Sequence, residues 1–481
     1  MAPSFSMPIL ILQFVVLPVQ FACCSAEAAF RTTFPSQYKV FQMVLQHDCD
    51  PRSVITSMAL NQWGISCLPS SLETCKELRV CLSWRAMWSG LFTHLTESWN
   101  NFKGLDLDYV TWMDLMQKHG YHTQKYGKLD YTSGHHSVSN RVEAWTRDVD
   151  FLLRQEGRPT VKLTGENFGS STFLTSPYWL EKVTYEAIKI PKWSSLSEMH
   201  PVDYYSSYTK NCTGEFTKQE VRNIRAFYYA MCAEADAMLG EIISALRDTG
   251  LLKRTIIIFT ADHGELAMEH RQFYKMSMYE GSSHVPLLVM GPGIKQQQQI
   301  SNLVSLVDIY PTMLDIARIP APQNLSGYSL MPLLLEMAED EVSSRRPRPL
   351  WVLSEFHGCN VNSSTYMLRT DKWKYITYSD GHSVLPQLFD LSADPDELKN
   401  VAMKFPVVAH SLDKILHSIV NYPKVSSSVQ EYNKRQFISW KQSLGQNYSN
   451  VIANLRWHQD WLKEPKKYED AIDKWLSQRQ H

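Results

Sequence analysis

The segment that most narrows what this chain can become is 255–265, Thr-Ile-Ile-Ile-Phe-Thr-Ala-Asp262-His263-Gly264-Glu265. A short run rich in isoleucine and threonine reads as a buried strand rather than a helix. It ends abruptly in an acid, an imidazole and a glycine. In open α/β sheets ligands bind outside the carboxyl ends of the strands, which is where Asp262 and His263 stand. The same residues also suit a strand followed by an Asx turn, with Gly264 supplying a positive φ. The segment alone does not decide between a site and a turn.

What precedes it sets the architecture. Thr217 and Glu220 have capping-box spacing, and Gly250 is placed to stop a helix. Between them Ile224, Phe227, Met231, Met238, Ile242 and Leu246 recur at helical spacing, a stripe expected to face the core. A helix leading into a buried strand implies an α/β layered domain. Downstream, 284–293 reads as a further strand and turn, and 304–317 as a strand or loop passing into a helix near Pro311. Residues 336–348 are charged and suggest a surface linker. Beyond them, 351–400 holds short strand-like pieces and 401–481 is polar, aromatic and helical in character. A chain of 481 residues exceeds one ordinary core. The expected division is a segment 27–80 without clean periodicity, a catalytic domain over 81–340 and a smaller C-terminal α+β subdomain over 341–481.

Composition limits the partners. A hydrophobic content of 44% with 20% charged residues fits a globular chain. A net charge of −1 argues against a nucleic-acid binder held by bulk charge, yet leaves room for a polyanionic substrate in a local basic pocket. Residues 1–26 carry no charged side chain and end in Cys24-Ser25-Ala26, which reads as a secretory signal peptide. The apolar run is short and broken by Gln13, Pro18 and Gln20, so no stable membrane insertion is expected. Four N-glycosylation sequons, at Asn211, Asn324, Asn362 and Asn447, agree with an exported chain. Nine cysteines, seven once Cys23 and Cys24 leave, are too sparse for a disulfide-built scaffold.

Several ordered blocks carry chemistry. They are Cys81-Leu-Ser83-Trp-Arg85-Ala-Met-Trp-Ser-Gly, Tyr126-Gly-Lys128-Leu-Asp-Tyr, Asp262-His263-Gly264-Glu265, Lys275-Met-Ser-Met-Tyr-Glu-Gly-Ser-Ser-His and Asp308-Ile-Tyr-Pro. Lys372-Trp-Lys374-Tyr375 and Leu388-Phe-Asp-Leu-Ser-Ala-Asp-Pro-Asp-Glu397-Leu398 follow. Together they resemble a sulfatase of the alkaline phosphatase superfamily, which implies a mixed sheet between helices. Cleaving a sulfate monoester calls for a strong nucleophile, positive charge around the non-bridging oxygens and help for the leaving alkoxide. The resemblance implies that Cys81 becomes the formylglycine nucleophile after modification by a formylglycine-generating enzyme. It further implies that Arg85 steadies that nucleophile, that Lys128 contacts the sulfate or the formylglycine, that Lys275 holds sulfate, and that Asp262, His263 and the modified Cys81 ligate one calcium ion. The implied substrate is a sulfated glycosaminoglycan, with 2-sulfated glucuronate as the sugar, or a small sulfate ester. The implied location is the secretory pathway, lysosomal or secreted.

The chain departs from that pattern in three places. Ser83 stands where the family's maturation motif has proline, which bears on whether Cys81 is converted; Cys67-Leu-Pro69 keeps the proline but lacks the arginine. Residues 27–80 do not reproduce the family's acidic metal-binding strand, although 40–45 followed by Asp48 and Asp50 is a faint counterpart. Gly165 joins Glu166 where the resemblance implies a longer segment with a strand and a substrate-binding histidine. Two rivals follow: an inactive sulfatase-like protein, and a phosphatase of the same superfamily. Cys81 with Arg85 argues against the second, because such phosphatases typically use serine or threonine.

Overall fold

The computed structural model describes residues 9–14, 39–45, 79–81, 84–100, 102–126, 131–133, 173, 175–210, 212–294, 299–335, 345–357, 364–453 and 464–477. Lys128, Asn211, Asn362, Cys67, Ser83, Asp48, Asp50 and the Gly165–Glu166 junction lie outside them.

The central sheet has the order β4-β2-β1-β5-β6. Its strands are β1 (Ile9–Phe14), β2 (Lys39–Leu45), β4 (His122–Tyr126), β5 (Ile256–Ala261) and β6 (Leu287–Met290). All neighbours run parallel except β6, which pairs antiparallel with β5 at the edge. The strand expected at 255–261 is thus β5, inside the sheet. Its continuous apolar run has a direct cause. Ile256 and Ile258 join a core with Trp88, Trp112, Leu306 and Met313 on one face. Ile257 and Phe259 join Tyr228, Met231, Leu239 and Ile242 on the other. Successive side chains point to opposite faces, so a strand covered on both sides needs apolar residues at every position.

The long helix Lys218–Asp248 covers the second face. Thr217 accepts from the Glu220 amide while the Glu220 carboxylate accepts from the Thr217 amide, the capping box the spacing announced. Met231, Ile242 and Leu246 of the expected stripe are buried, but Phe227 is 36% exposed. Tyr228, Cys232, Ala235 and Leu239 take the inward positions instead. The helix Ile309–Ile316 packs on the first face, following β7 (Leu303–Ser305), which pairs in parallel with β3 (Arg79–Cys81).

A second sheet, order β11-β10-β9-β8, is antiparallel throughout. It comprises β8 (Val352–His357), β9 (Ser364–Arg369), β10 (Trp373–Tyr378) and β11 (Gln387–Asp390). Helices Pro406–Ile419 and Tyr422–Leu444 follow it. Leu412 and Leu416 of the first pack beneath Leu353, Leu368 and Leu388 of the sheet.

Ile9–Phe14 lies within the expected leader and forms the central strand β1, in register with Ile256–Ala261. An export signal and an inner strand of a parallel sheet call for the same uncharged apolar composition. The charged linker, in turn, is tied down where it is described. Arg345 pairs with Asp315 at 2.6 Å, Arg348 with the buried Asp308 at 2.6 Å, and Arg346 donates to the Leu325 and Gly327 carbonyls. Among the described residues no helix is long and apolar enough to cross a membrane.

Candidate active site

Strand β5 delivers Asp262 and His263 at its carboxyl end, where both are buried, 7% and 8% exposed. The Asp262 carboxylate accepts the His263 amide at 3.1 Å. The His263 ring lies 2.9 Å, through Nδ1, from the Gly264 carbonyl, which can only accept, so Nδ1 carries the proton. Nε2 lies 3.5 Å from Asp262 Oδ2, a lone pair when the ring is neutral and a second N–H when it is protonated. Two acceptors face each other there unless a proton or a cation lies between them. Gly264 does not have a positive φ, contrary to the turn reading. Its role is close approach: a Cβ at Gly264 would stand 2.2 Å from the Gly281 carbonyl oxygen.

That contact joins the strand end to residues 275–283. The Gly264 amide donates to the Ser282 carbonyl at 2.8 Å, and the Ser282 hydroxyl donates to the Lys275 carbonyl at 2.8 Å. Ser282 thus bridges the Asp262-His263 turn to Lys275, which is half-buried. Between them the chain is strained. Ala267, Met268, His270, Arg271 and Tyr274 all have positive φ, each costing on the order of 1–3 kcal/mol. Buried Glu265 holds this loop, its carboxylate accepting the Ala267 amide at 2.9 Å and the Tyr274 amide at 2.6 Å. Burial raises the Glu265 pKa, against the lowering influence of those two amides, Lys210 and Lys275. Arg225 and Lys210 donate to the Ala267 and Phe273 carbonyls.

The second sheet clamps the same loop. Lys374 of β10 is fully buried and lies 2.8 Å from Glu280 and 2.7 Å from Glu397. It also donates to the Met278 carbonyl at 2.8 Å. Arg369 of β9 pairs with Glu280 at 3.1 Å, His284 approaches it at 3.1 Å, and the Glu280 amide donates to Glu397 at 2.6 Å. Burial alone would raise the Glu280 pKa; Lys374, His284 and Arg369 hold it well below the ordinary value.

Cys81 ends β3 opposite Ser305, and Arg85 lies in the helix Trp84–Ser89 that follows. Arg85 donates to the Ser98 carbonyl at 3.4 Å. Nearby, Glu355 of β8 sits between His94 (2.8 Å) and His357 (3.5 Å), with Trp99 edge-on to the His357 ring. Although burial pushes Glu355 up, hydrogen bonds from His357 and His94 bring its pKa down to about 2.

The structure therefore draws Asp262, His263 and Lys275 into one hydrogen-bonded unit, and sets Cys81 and Arg85 on the strand–helix junction of β3. Glu265, Ser282, Glu280, Lys374 and Glu397 were not assigned roles from sequence. Lys374 and Glu397 sit within the C-terminal signature, a signal that pointed to family and not to a contact. Among the described residues no group of three His, Cys, Asp or Glu side chains is arranged to hold a metal ion. Of the sequons, Asn324 and Asn447 are exposed.

Comparison with known proteins adds to this geometry. A family model described as Sulfatase matches residues 80–319, and one described as N-sulphoglucosamine sulphohydrolase, C-terminal, matches 268–421. The chain is 78% identical to arylsulfatase K of Gallus gallus over 451 residues, covering 83% of this chain and 84% of that one. It is 68% identical to arylsulfatase K of Homo sapiens over 447 residues, covering 82% and 83%. The 451 aligned residues exceed 83% of a 481-residue chain, so the relative carries a stretch without counterpart here. Among solved structures, the fold is similar to a 2-O GAG sulfatase, with TM-score 0.54 and 18% identity, covering 87% of this chain and 93% of that one. It is also similar to a protein in complex with its substrate D-glucosamine-2-N,6-O-disulfate, with TM-score 0.57 and 16% identity, covering 87% and 98%.

Proposed function

Because the chain belongs to the sulfatase family, a family of sulfate ester hydrolases, we propose that it removes sulfate from a glycosaminoglycan sugar, 2-sulfated glucuronate being the unit attacked. The observation that carries this reading is the joined unit of Asp262, His263 and Lys275 at the carboxyl end of β5. It ties the backbone of Lys275 to the strand end that carries Asp262, in a chain 68–78% identical to the arylsulfatase K proteins compared above.

In this reading Cys81 is the nucleophile position. Converted to formylglycine, it supplies a hydrated aldehyde, one hydroxyl to attack sulfur and a second to expel sulfate. A plain thiol has no second hydroxyl. Arg85 steadies that end of the site, and Lys128 and Lys275 neutralise the non-bridging oxygens as charge gathers on them. The resemblance also implies one calcium ion. Calcium takes six to eight oxygen ligands. Asp262, His263 and the modified Cys81 would hold it with one carboxylate, one imidazole and one hydroxyl oxygen, which leaves its shell incomplete among the described residues. Passage through the secretory pathway to lysosome or medium, with glycans on Asn324 and Asn447, completes the proposal.

One observation favours a second reading, an inactive sulfatase-like chain. Strand β1, paired with β5 as far as Phe14 opposite Ala261, contains no acidic residue, and the sequence has none before Glu27. The deciding experiment is mass spectrometry of the tryptic peptide 80–85 from protein made in secretory cells, with sulfate release measured on a 2-sulfated glucuronate disaccharide. A formylglycine mass with turnover is the expected result. An unmodified Cys81 thiol throughout refutes the active enzyme and favours the second reading.

A further inference from the structure

The C-terminal sheet reaches the candidate site through two buried cations, Arg369 of β9 and, more deeply, Lys374 of β10. Lys374 of β10 is completely buried, and its ammonium contacts three groups: Glu280 at 2.8 Å, Glu397 at 2.7 Å and the Met278 carbonyl at 2.8 Å. Two of these belong to the segment that carries Lys275 and Ser282. The third, Glu397, returns to that segment by accepting the Glu280 amide at 2.6 Å. An ammonium held between two carboxylates in a dry interior is costly unless every partner is in place, so the arrangement tolerates little displacement of 278–280. From there the connection runs on through Ser282, whose carbonyl accepts the Gly264 amide and whose hydroxyl holds the Lys275 carbonyl.

We infer that Lys374, with Glu280 and Glu397, is a positioning group for anion binding: it fixes 275–283, and with it Lys275, relative to the Asp262-His263 turn. The inference rests on the sulfatase reading of that turn. It gives the C-terminal sheet a part in binding the sulfate group without touching it. The neighbouring Lys372 makes a useful contrast. It lies in the same short signature but is 55% exposed and pairs only loosely with Asp390, at 3.4 Å.

The test is calorimetric titration of inorganic sulfate into the full chain made in secretory cells, with urea midpoints taken on the same preparations. K374M is expected to weaken sulfate binding about tenfold or more, because small displacements of a binding group have large effects. K374R is expected to restore most of that loss, and K372M to leave binding unchanged. L412A supplies the control for a merely structural role. It opens a cavity on the far face of the same sheet, lowers the urea midpoint and is expected to leave sulfate affinity within about twofold. Should K374M fail to fold, E397Q takes its place, since it loosens the tie to the Glu280 amide and leaves Lys374 on Glu280. Sulfate affinity unchanged in the folded Lys374 or Glu397 variant overturns the inference, as does an equal loss in L412A. A wild-type chain that binds no sulfate overturns the sulfatase reading, and this inference with it.

Discussion

The sharpest test of the site's architecture is G264A. Adding one methyl at Gly264 puts a carbon 2.2 Å from the Gly281 carbonyl oxygen and 3.1 Å from its carbon. Carbon and oxygen rest at roughly 3.5 Å, so the strand end and the 280–283 turn must separate by about 1 Å. Neither partner is a flexible side chain; both are backbone in close-packed surroundings. The separation stretches the 2.8 Å bond from the Gly264 amide to Ser282, a net loss of about 0.5–1.5 kcal/mol. Overpacking adds about 1–3 kcal/mol. The expected destabilisation is therefore about 2–4 kcal/mol, read from urea unfolding by tryptophan fluorescence. G250A is the control. Gly250 has φ +69 and nothing within 4 Å of its would-be Cβ, so alanine there meets only backbone strain of about 1 kcal/mol. Hydrogen exchange should localise the G264A effect to 262–264 and 279–283. A G264A chain within about 0.5 kcal/mol of wild type, or one no worse than G250A, refutes the close-approach argument.

Other perturbations follow from the same geometry. K275M should weaken inorganic sulfate about tenfold or more with little change in urea midpoint, since it removes a half-buried cation from the anion site; unchanged affinity removes Lys275 from the sulfate site. The Glu355 pKa falls from an ordinary 4.5 to about 2, so its stabilisation is complete above pH 4.5 and is lost as pH falls toward 2. That is roughly 3 kcal/mol, and E355Q should flatten the urea midpoint against pH in that window; parallel profiles refute it. Asp236, with a buried Oδ1 lacking a hydrogen-bond partner among the described residues, has its pKa raised by burial from 3.8 to about 6. Its folded form is favoured below pH 3.8, and that advantage is gone above about pH 6. D236N should therefore stabilise the chain at pH 7.5, by about 1–2 kcal/mol after allowance for screening, with the gain shrinking toward pH 4.5. A gain that does not depend on pH refutes desolvation as its cause.

How much was legible depended on whether a residue's role was local. The β5 run and the Thr217–Glu220 capping box are set by neighbours in sequence, and both appear as read. The constraint on Gly264 comes from Gly281, far enough along the chain that only folding reveals it. Lys374 is harder still. A lysine in an alternating strand reads as solvent-facing, whereas here two carboxylates from separate segments, Glu280 and Glu397, make full burial tolerable. The linker arginines fail to read for the same reason, since Asp308 and Asp315 are distant in sequence.

Residues 9–14 pose this problem in its clearest form, and it can be resolved by truncation. A cleaved leader and a central strand are exclusive uses of one segment. In this structure β1 is hydrogen-bonded to β2 on one side and to β5 on the other, over six register pairs each. Removing it leaves two facing strand edges without partners. An unpaired buried backbone group costs about 1–3 kcal/mol, and several would be exposed at once beside Asp262. A chain beginning at residue 27 is therefore expected to lose the cooperative urea transition of the full chain, or to recover it only if another segment fills the gap between β2 and β5. Cross-linking β2 to β5 separates these outcomes: direct β2–β5 links in a stable truncated chain would show that β1 is dispensable and that the apolar segment serves export instead.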